Sequence, residues 1–167
     1  MDAENIDFSA FSQDELKKVA AQAIHQIKEP EKGIGTELFE AVITIVPQTC
    51  IEAVVVDNLE RPSKILVVWR DDQHYRGWHF PGGYIRFGQD FDETVRSVIT
   101  RELGVPVKSF TDTEVKYSHL DSRGHTLGTI FLVELEGNPT QGQWFDHVPE
   151  ELLEHHKDFL KKVLGWE

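Results

Sequence analysis

The pattern of apolar and polar positions first becomes helical just after Ser12. Ser12 and Glu15 have the spacing of a capping box, in which two side chains cap backbone amides at a helix start. In the segment that follows, ELKKVAAQAIHQIKE, apolar residues share one helical stripe: Leu16, Val19, Ala20, Ala23 and Ile27. Pro30 and Gly33 interrupt the pattern. The sequence therefore predicts an N-terminal helix that ends near Pro30.

Three runs rich in β-branched residues come next, separated by Pro47 and by the turn-forming segment NLERPS. They are LFEAVITIV, TCIEAVVVD and KILVVWR. Such runs are typical of strands. They predict a sheet that is mainly antiparallel or mixed.

The pattern becomes helical again from Asp90 to Leu103. Two further strand-like runs follow, TEVKYSHLD and TLGTIFLVELE, joined by the turn residues SRG. In the last segment, VPEELLEHHKDFLKKVLGW, Pro149 is placed for the first turn of a final helix. We read the tandem His155 and His156 as surface or helix-packing residues of that helix. A sheet with helices on both sides predicts an α/β/α sandwich with an added N-terminal helix.

Length and composition narrow the classes of function. A chain of 167 residues suits one domain, with residues 1–38 as an N-terminal extension. The formal charge of -12 disfavours binding to nucleic acid or to an anionic membrane, so a phosphate ligand would need a local basic pocket. No apolar run approaches the ~20 residues of a membrane span, and we expect a cytoplasmic protein. The single cysteine, Cys50, lies in a strand-like run, where a buried structural role is favoured over a nucleophilic one.

The segment GWHFPGG carries the first chemical signal. Gly82 and Gly83 follow Pro81 and allow the backbone to approach a ligand closely, with amides and carbonyls as binding groups. Taken alone, Pro-Gly-Gly is typical of a tight turn. The helix that follows it supports a functional interpretation.

Residues 83–105 resemble the Nudix box, G-x5-E-x7-R-E-U-x-E-E-x-G-U, in which U is aliphatic. The matching positions are Gly83, Ile99, Glu102, Gly104 and Val105. The flanking segments KILVVWR, GWHFPGG and GQWFDHVPEELL resemble the family's strand ending in arginine, its tryptophan-containing lead-in, and its closing strand and helix. The resemblance covers roughly residues 39–164. It implies a Nudix-type fold and the cleavage of nucleoside diphosphate derivatives.

The metal-binding positions of the box are reduced. In the family, three glutamates of the box helix and a backbone carbonyl near the first glycine hold magnesium against a diphosphate. Those positions here are Val98, Arg101 and Glu102, with the carbonyl of Gly83. One carboxylate can hold Mg²⁺ or Mn²⁺ when substrate phosphates supply further oxygens, so we expect metal and substrate to bind together. Glu102 is then the catalytic candidate; alternatively, it forms a structural ion pair with Arg101 or Arg70.

The substrate-binding candidates are Arg70, Arg86, Arg101 and Gly82, because guanidinium groups match phosphate oxygens bidentately. The reduced box most resembles that of the GDP-mannose mannosyl hydrolase type, which keeps the last glutamate and adds a downstream side-chain ligand. Gln141 or Gln143, in the loop NPTQGQ, is the candidate for that metal ligand. The same loop lacks the subgroup's catalytic histidine, and the sequence identifies no general base.

Two main hypotheses follow. The first is a magnesium-dependent Nudix hydrolase of a nucleoside diphosphate linked to another moiety, such as a nucleotide sugar. The second is a catalytically inactive Nudix-fold module that binds a nucleotide or a protein, in which Arg101 supplies the charge of the metal. A purely structural protein is a third. The oligomeric state is left open, since the N-terminal helix could cover either the sheet or a second subunit of a homodimer.

Overall fold

The computed structural model describes residues 7–121 and 123–166, and the chain divides into two compact units at residues 34 and 35. The first unit contains helix α1, Gln13–Ile24, between 3₁₀ turns at Phe8–Ala10 and Pro30–Lys32. The predicted capping box is confirmed, since the Ser12 backbone amide donates to Glu15 Oε2 at 2.8 Å and the Glu15 amide donates to Ser12 Oγ. The helix ends earlier than predicted because the amides of Gln26 and Ile27 bond to carbonyls three residues back, forming tight turns.

The second unit holds one mixed sheet between helices. Its elements are α2 Thr36–Ile43, β1 Gln48–Val56, β2 Ile65–Asp71, β3 Arg76–His79, β4 Gly82–Tyr84, α3 Phe91–Leu103, β5 Val107–Leu120, β6 His125–Leu135, β7 Gln143–Phe145 and α4 Glu154–Leu164. The strand order is β3-β2-β1-β6-β5, with β4 paired to β1 and β7 paired to β2. The β1–β6 pair is parallel and the other pairs are antiparallel. The predicted α/β/α sandwich with a mixed sheet is confirmed.

Strand β1 separates two hydrophobic cores because its successive side chains point to opposite faces. Ile51, Ala53 and Val55 pack in the cluster that includes the buried face of α3. Val54 and Val56 pack in the other cluster, with Phe159 and Leu160 of α4. By the same alternation, Glu52 lies on the α4 side of the sheet.

Two sequence predictions for the second unit are wrong. The run LFEAVITIV is largely the helix α2 and not a strand. Phe39 and Ile43 lie one helical turn apart, and both bind the sheet unit: Phe39 packs on the Tyr84 ring, and Ile43 is buried against Gly124. These tertiary contacts outweigh the strand preference of β-branched residues.

Pro149 does not begin the last helix, which starts only at Glu154. The segment between them is tied to β3, because Trp78 donates to the Glu151 carbonyl at 2.9 Å and accepts from the Leu153 amide at 3.0 Å. Residues that bridge to a strand cannot at the same time form helical hydrogen bonds. In the described ranges, 7–121 and 123–166, no helix is long and apolar enough to cross a membrane.

Candidate active site

Gly82 and Gly83 lie in strand β4, in register with Glu52 and Ile51 of β1. They do not form the tight turn that Pro-Gly-Gly suggests when taken alone. A methyl group on Gly82 would collide with the Glu52 carboxylate, whose Cδ would lie 2.8 Å away. Gly82 is therefore required because a carboxylate approaches the backbone here, and not because of a left-handed backbone conformation.

Glu102 and Arg101, near the end of α3, form an ion pair beside this strand. Arg101 Nη2 donates to Glu102 Oε1 at 2.8 Å, with side-chain exposures of 50% for Arg101 and 21% for Glu102. Burial raises the pKa of Glu102, while the hydrogen bond from Arg101 and the backbone amide of Gly82 act to lower it. The structural alternative for Glu102, an ion pair with Arg101, is thus present in the molecule.

The other two metal-binding positions of the box helix, Val98 and Arg101, carry no negative charge. Val98 is 1% exposed and belongs to the core cluster under α3. A methyl group added to Gly83 would lie 3.1 Å from a Val98 methyl and 3.3 Å from Arg101 Nη2. The backbone at Gly83 therefore faces one apolar group and one guanidinium, where the family pattern has two carboxylates.

Gln141 also reaches Glu102. Its Nε2 donates to the Glu102 backbone carbonyl at 2.5 Å, although the two residues are far apart in sequence. The structure thus brings Gly82, Gly83, Glu102 and Gln141 together at the end of α3. The proposal that Gly83, Glu102 and Gln141 bind metal stays a prediction.

The arginine candidates differ in their surroundings. Arg70, on β2, bonds to Asp72 at 2.5 Å and lies over the Tyr75 ring at 4.9 Å. Burial raises the pKa of both Glu52 and Glu102, and the charge of Arg70 opposes this rise at both carboxyl groups. Arg86 is exposed after β4, and in the described part of the chain no contact joins it to Glu102. The structure therefore groups Arg70 and Arg101 with Glu102 and leaves Arg86 apart.

Glu52 is the site residue that sequence reasoning missed. Its side chain is 16% exposed, and Tyr117 donates to its Oε1 at 3.2 Å. Burial raises its pKa from an ordinary value of 4.5 to about 8, the Tyr117 hydrogen bond opposes the rise, and the charge of Glu102 adds to it. Its signal in the sequence was a lone acidic residue inside the apolar run TCIEAVVVD.

His156 supports Glu52 from the α4 side of the sheet. The ring is 3% exposed, and its Nδ1 accepts a hydrogen bond from the Phe80 amide at 3.1 Å. Nδ1 therefore carries no proton, so the neutral ring has its N–H on Nε2, which lies 3.7 Å from Glu52 Oε2. Burial holds the pKa of His156 well below its usual value. The helix-packing role predicted for His156 is confirmed, and its contact with Glu52 is an addition.

The rings of His79 and His155 pack near that of His156. His155 stacks on His119 with ring centroids 4.8 Å apart, and burial lowers the pKa of His155 to about 4. Burial also lowers the pKa of His79 to about 4. At neutral pH both His79 and His155 are uncharged. The fixed positive charge near Glu52 and Glu102 therefore comes from arginine.

The donor set fits magnesium only in part. In the ranges 7–121 and 123–166, no three His, Cys, Asp or Glu side chains converge as a metal-binding cluster. Magnesium, however, keeps several waters and is often held by one or two carboxylates together with substrate phosphates. Glu102, with the neighbouring amide and backbone oxygens, fits an ion that arrives on a diphosphate. It does not fit an ion held by the protein alone.

Comparison with known proteins agrees with this fold. Residues 49–163 match the NUDIX domain family, and the chain belongs to this family. No curated protein matches the chain significantly.

Three similar solved structures share this fold. The MutT NUDIX hydrolase from Burkholderia pseudomallei is 23% identical, with a TM-score of 0.61 over 71% of this chain and 98% of that chain. A possible asymmetric Ap4A hydrolase from Jonesia denitrificans is 16% identical, with a TM-score of 0.59 over 73% and 95%. The NUDIX domain of NrtR from Shewanella oneidensis, in complex with ADP ribose, is 15% identical, with a TM-score of 0.54 over 87% and 96%. At these identities the likeness concerns the fold.

Proposed function

We propose that this protein hydrolyses a nucleoside diphosphate linked to another moiety, such as a nucleotide sugar. The observation that carries the proposal is that Glu102 and Arg101 meet beside the glycine strand β4, with Gln141 bonded to the Glu102 carbonyl and the charge of Arg70 acting on the Glu102 carboxylate. Guanidinium groups bind diphosphate oxygens, and a carboxylate is needed to hold a metal ion against them.

The class of ligand is supported by the neighbours and by the charge of the site. ADP ribose, bound by the NrtR NUDIX domain, is itself a nucleoside diphosphate linked to a second sugar. The whole chain is acidic, with a formal charge of -12, so the arginines beside Glu102 form a local exception. A doubly charged diphosphate suits this local positive charge better than a neutral ligand does.

Each residue of the site has a separate proposed role in binding the diphosphate or the metal ion. Arg101 and Arg70 neutralise the diphosphate, and the backbone of Gly82 and Gly83 allows it to approach the sheet. Glu102 and the oxygens of Gln141 and Gly83 would hold magnesium. When bound, that ion supplies Lewis-acid polarisation of a phosphoryl oxygen. Because Arg101 is paired with Glu102, a diphosphate that draws Arg101 away would free the carboxylate for the metal.

A turnover assay tests the proposal. ADP ribose, GDP-mannose, UDP-glucose and diadenosine polyphosphate are incubated with the protein, with magnesium and with a chelator, and the products are separated. We expect turnover of at least one compound with magnesium, and a loss of about 100-fold or more in Glu102→Gln. Glu134→Gln is the matched control, because Glu134 is 18% exposed and pairs with Lys108 away from β4. Turnover that Glu102→Gln leaves unchanged contradicts the proposal.

The second candidate is a binding module without catalysis. It is favoured by the Arg101–Glu102 ion pair, which neutralises the last carboxylate of the box helix and presents a guanidinium beside Gly83. A protein that turns over none of the compounds but binds one of them equally well with and without magnesium supports this candidate and excludes the first.

A further inference from the structure

Glu52 is a carboxyl group that no element of the Nudix box supplies. It lies on the central strand β1, in register with Gly82, and its Oε2 occupies the space that a side chain on Gly82 would need. Gly82 therefore separates two carboxyl groups: Glu52 lies against it from the sheet, and its backbone amide faces Glu102. The two carboxyl groups thus border the same short piece of backbone, where a diphosphate is proposed to bind.

The orientation of Glu52 is fixed from two directions. Tyr117 donates to Oε1 at 3.2 Å, and the Nε2–H of His156 faces Oε2 at 3.7 Å. Tyr117 is itself placed by Gly128, because a methyl group there would collide with the phenol ring. Its hydroxyl also lies 3.1 Å from Cys50 Sγ. These contacts orient the Glu52 carboxyl group between Tyr117 and His156.

A buried carboxyl group without a charged partner is costly, and packing alone does not require one. The side chains that follow Glu52 on this face of β1, Val54 and Val56, are apolar and belong to the core, while Cys50 and Gln48 precede it. A valine at this position would complete that apolar face. Instead, Tyr117 donates a hydrogen bond to this acid and the polar edge of the His156 ring faces it, which is the arrangement expected of a group that works on a ligand.

We propose that Glu52 is a catalytic residue of the proposed hydrolysis, the general base that accepts a proton from the attacking water. The inference rests on the proposed function. Gly82 lies against Glu52 on one side and offers its backbone amide to Glu102 on the other, so a diphosphate held beside this glycine by Arg101 presents a phosphorus atom next to Glu52. Tyr117 and His156 are positioning residues, since they contact Glu52.

The step balances as a hydrolysis. One proton of the water passes to the Glu52 carboxylate while the water oxygen forms a bond to phosphorus. The bridging P–O bond breaks, and its electron pair leaves with the other phosphate. The second water proton stays on the new phosphate until solvent removes it, and Glu52 then returns its proton to solvent. Two phosphate monoesters result, and no oxidant or reductant is needed.

The test compares Glu52→Gln with the parent protein and with Glu134→Gln, the control of matched exposure on β6. Glutamine keeps the shape of the side chain and its bond with Tyr117 but cannot take up the proton. We expect kcat to fall by about 100-fold or more in Glu52→Gln, the usual scale of general base catalysis. The Kd of a slowly hydrolysed diphosphate analogue, measured by calorimetry, should change by less than about threefold.

A second experiment tests whether Tyr117 positions Glu52 and which bond of the substrate is cleaved. Tyr117→Phe removes one hydrogen bond to Glu52, so kcat should fall while KM is kept, and in ¹⁸O-labelled water the label should enter a phosphate product. An active parent with an equally active Glu52→Gln overturns this inference alone. So does loss of ligand binding in Glu52→Gln, or label found only on a sugar hydroxyl. An inactive parent overturns the proposed function and this inference with it.

Discussion

Replacing Glu52 by glutamine should stabilise the protein, and the gain should grow with pH. The Glu52 pKa lies at about 8 in the folded chain, raised from an ordinary value of 4.5 mainly by burial. A carboxyl group with a raised pKa contributes stability that is fully present below the unfolded value. This stability is lost as the pH rises toward the folded value. Glutamine does not titrate, so Glu52→Gln escapes this loss.

The size of the effect follows from linkage. Between the two pKa values the parent loses about 1.4 kcal/mol of stability per pH unit relative to the variant. From pH 5.5 to pH 7 the difference in the free energy of unfolding should therefore grow by about 2 kcal/mol. For a chain of this length, that corresponds to a change of roughly 4 to 8 °C in the difference between the two Tm values.

Denaturant unfolding or calorimetry of both proteins at several pH values measures the effect. The comparison is made as a difference because acid affects both proteins through histidine. The pKa of His79 and of His155 lies at about 4, and that of His156 is also lowered. Their uncharged state contributes stability above pH ~6.5 that is lost as the pH falls toward the folded values. A Glu52→Gln difference that stays constant from pH 5 to pH 8 would refute the burial argument.

Three further predictions concern neighbouring parts of the site. Arg101→Ala should weaken the binding of a diphosphate by about tenfold in the presence of a chelator, as measured by calorimetry, because a charged hydrogen-bond donor is lost; unchanged affinity would remove Arg101 from the binding site. In the turnover assay, Gly82→Ala should lower activity more than Gly83→Ala. The new methyl group of Gly82→Ala displaces the Glu52 carboxylate, whereas that of Gly83→Ala only meets a Val98 methyl group at 3.1 Å and Arg101 at 3.3 Å. The reverse order would contradict the placement of Glu52. Cys50 should resist alkylation in the folded protein at pH 8, followed by mass spectrometry, because burial raises the pKa of its thiol to about 12; rapid labelling would show that β1 opens.

The sequence predicts most of the sheet and the helix α3 because their signals are local. The runs of β-branched residues that form β1 and β2, the strand-like run of β6, and the helical pattern from Asp90 to Leu103 are each contained in one segment. The match of Gly83 and Glu102 to the box likewise depends only on their spacing along the chain. These features depend little on distant parts of the chain, so they can be recognised without the structure.

The errors in the fold arise where tertiary contacts decide. The segment LFEAVITIV contains enough β-branched residues to resemble a strand, but Phe39 packs on Tyr84, and Ile43 packs against Gly124. Pro149 is a residue typical of a helix start, but the backbone of residues 151–153 is hydrogen-bonded to Trp78 on β3 and does not form a helix there. Neither partner is near in sequence.

Some residues of the candidate site could likewise be recognised from the sequence, and others only from the structure. Glu102, Arg70 and Gln141 could be proposed because a family pattern exists for them. Glu52 could not, because its importance depends on Tyr117 and His156, which the fold brings from β5 and α4. In the sequence, a single glutamate on a strand is equally compatible with exposure to solvent.

The most direct test of the account is a magnesium titration followed by calorimetry, without and with a slowly hydrolysed analogue of ADP ribose. Glu102 is the only carboxylate left at the box positions and is already paired with Arg101. The account therefore predicts weak binding of magnesium to the free protein, clear binding once the analogue is present, and loss of that binding in Glu102→Gln. Tight binding of magnesium without the analogue, or binding that Glu102→Gln leaves intact, would contradict it.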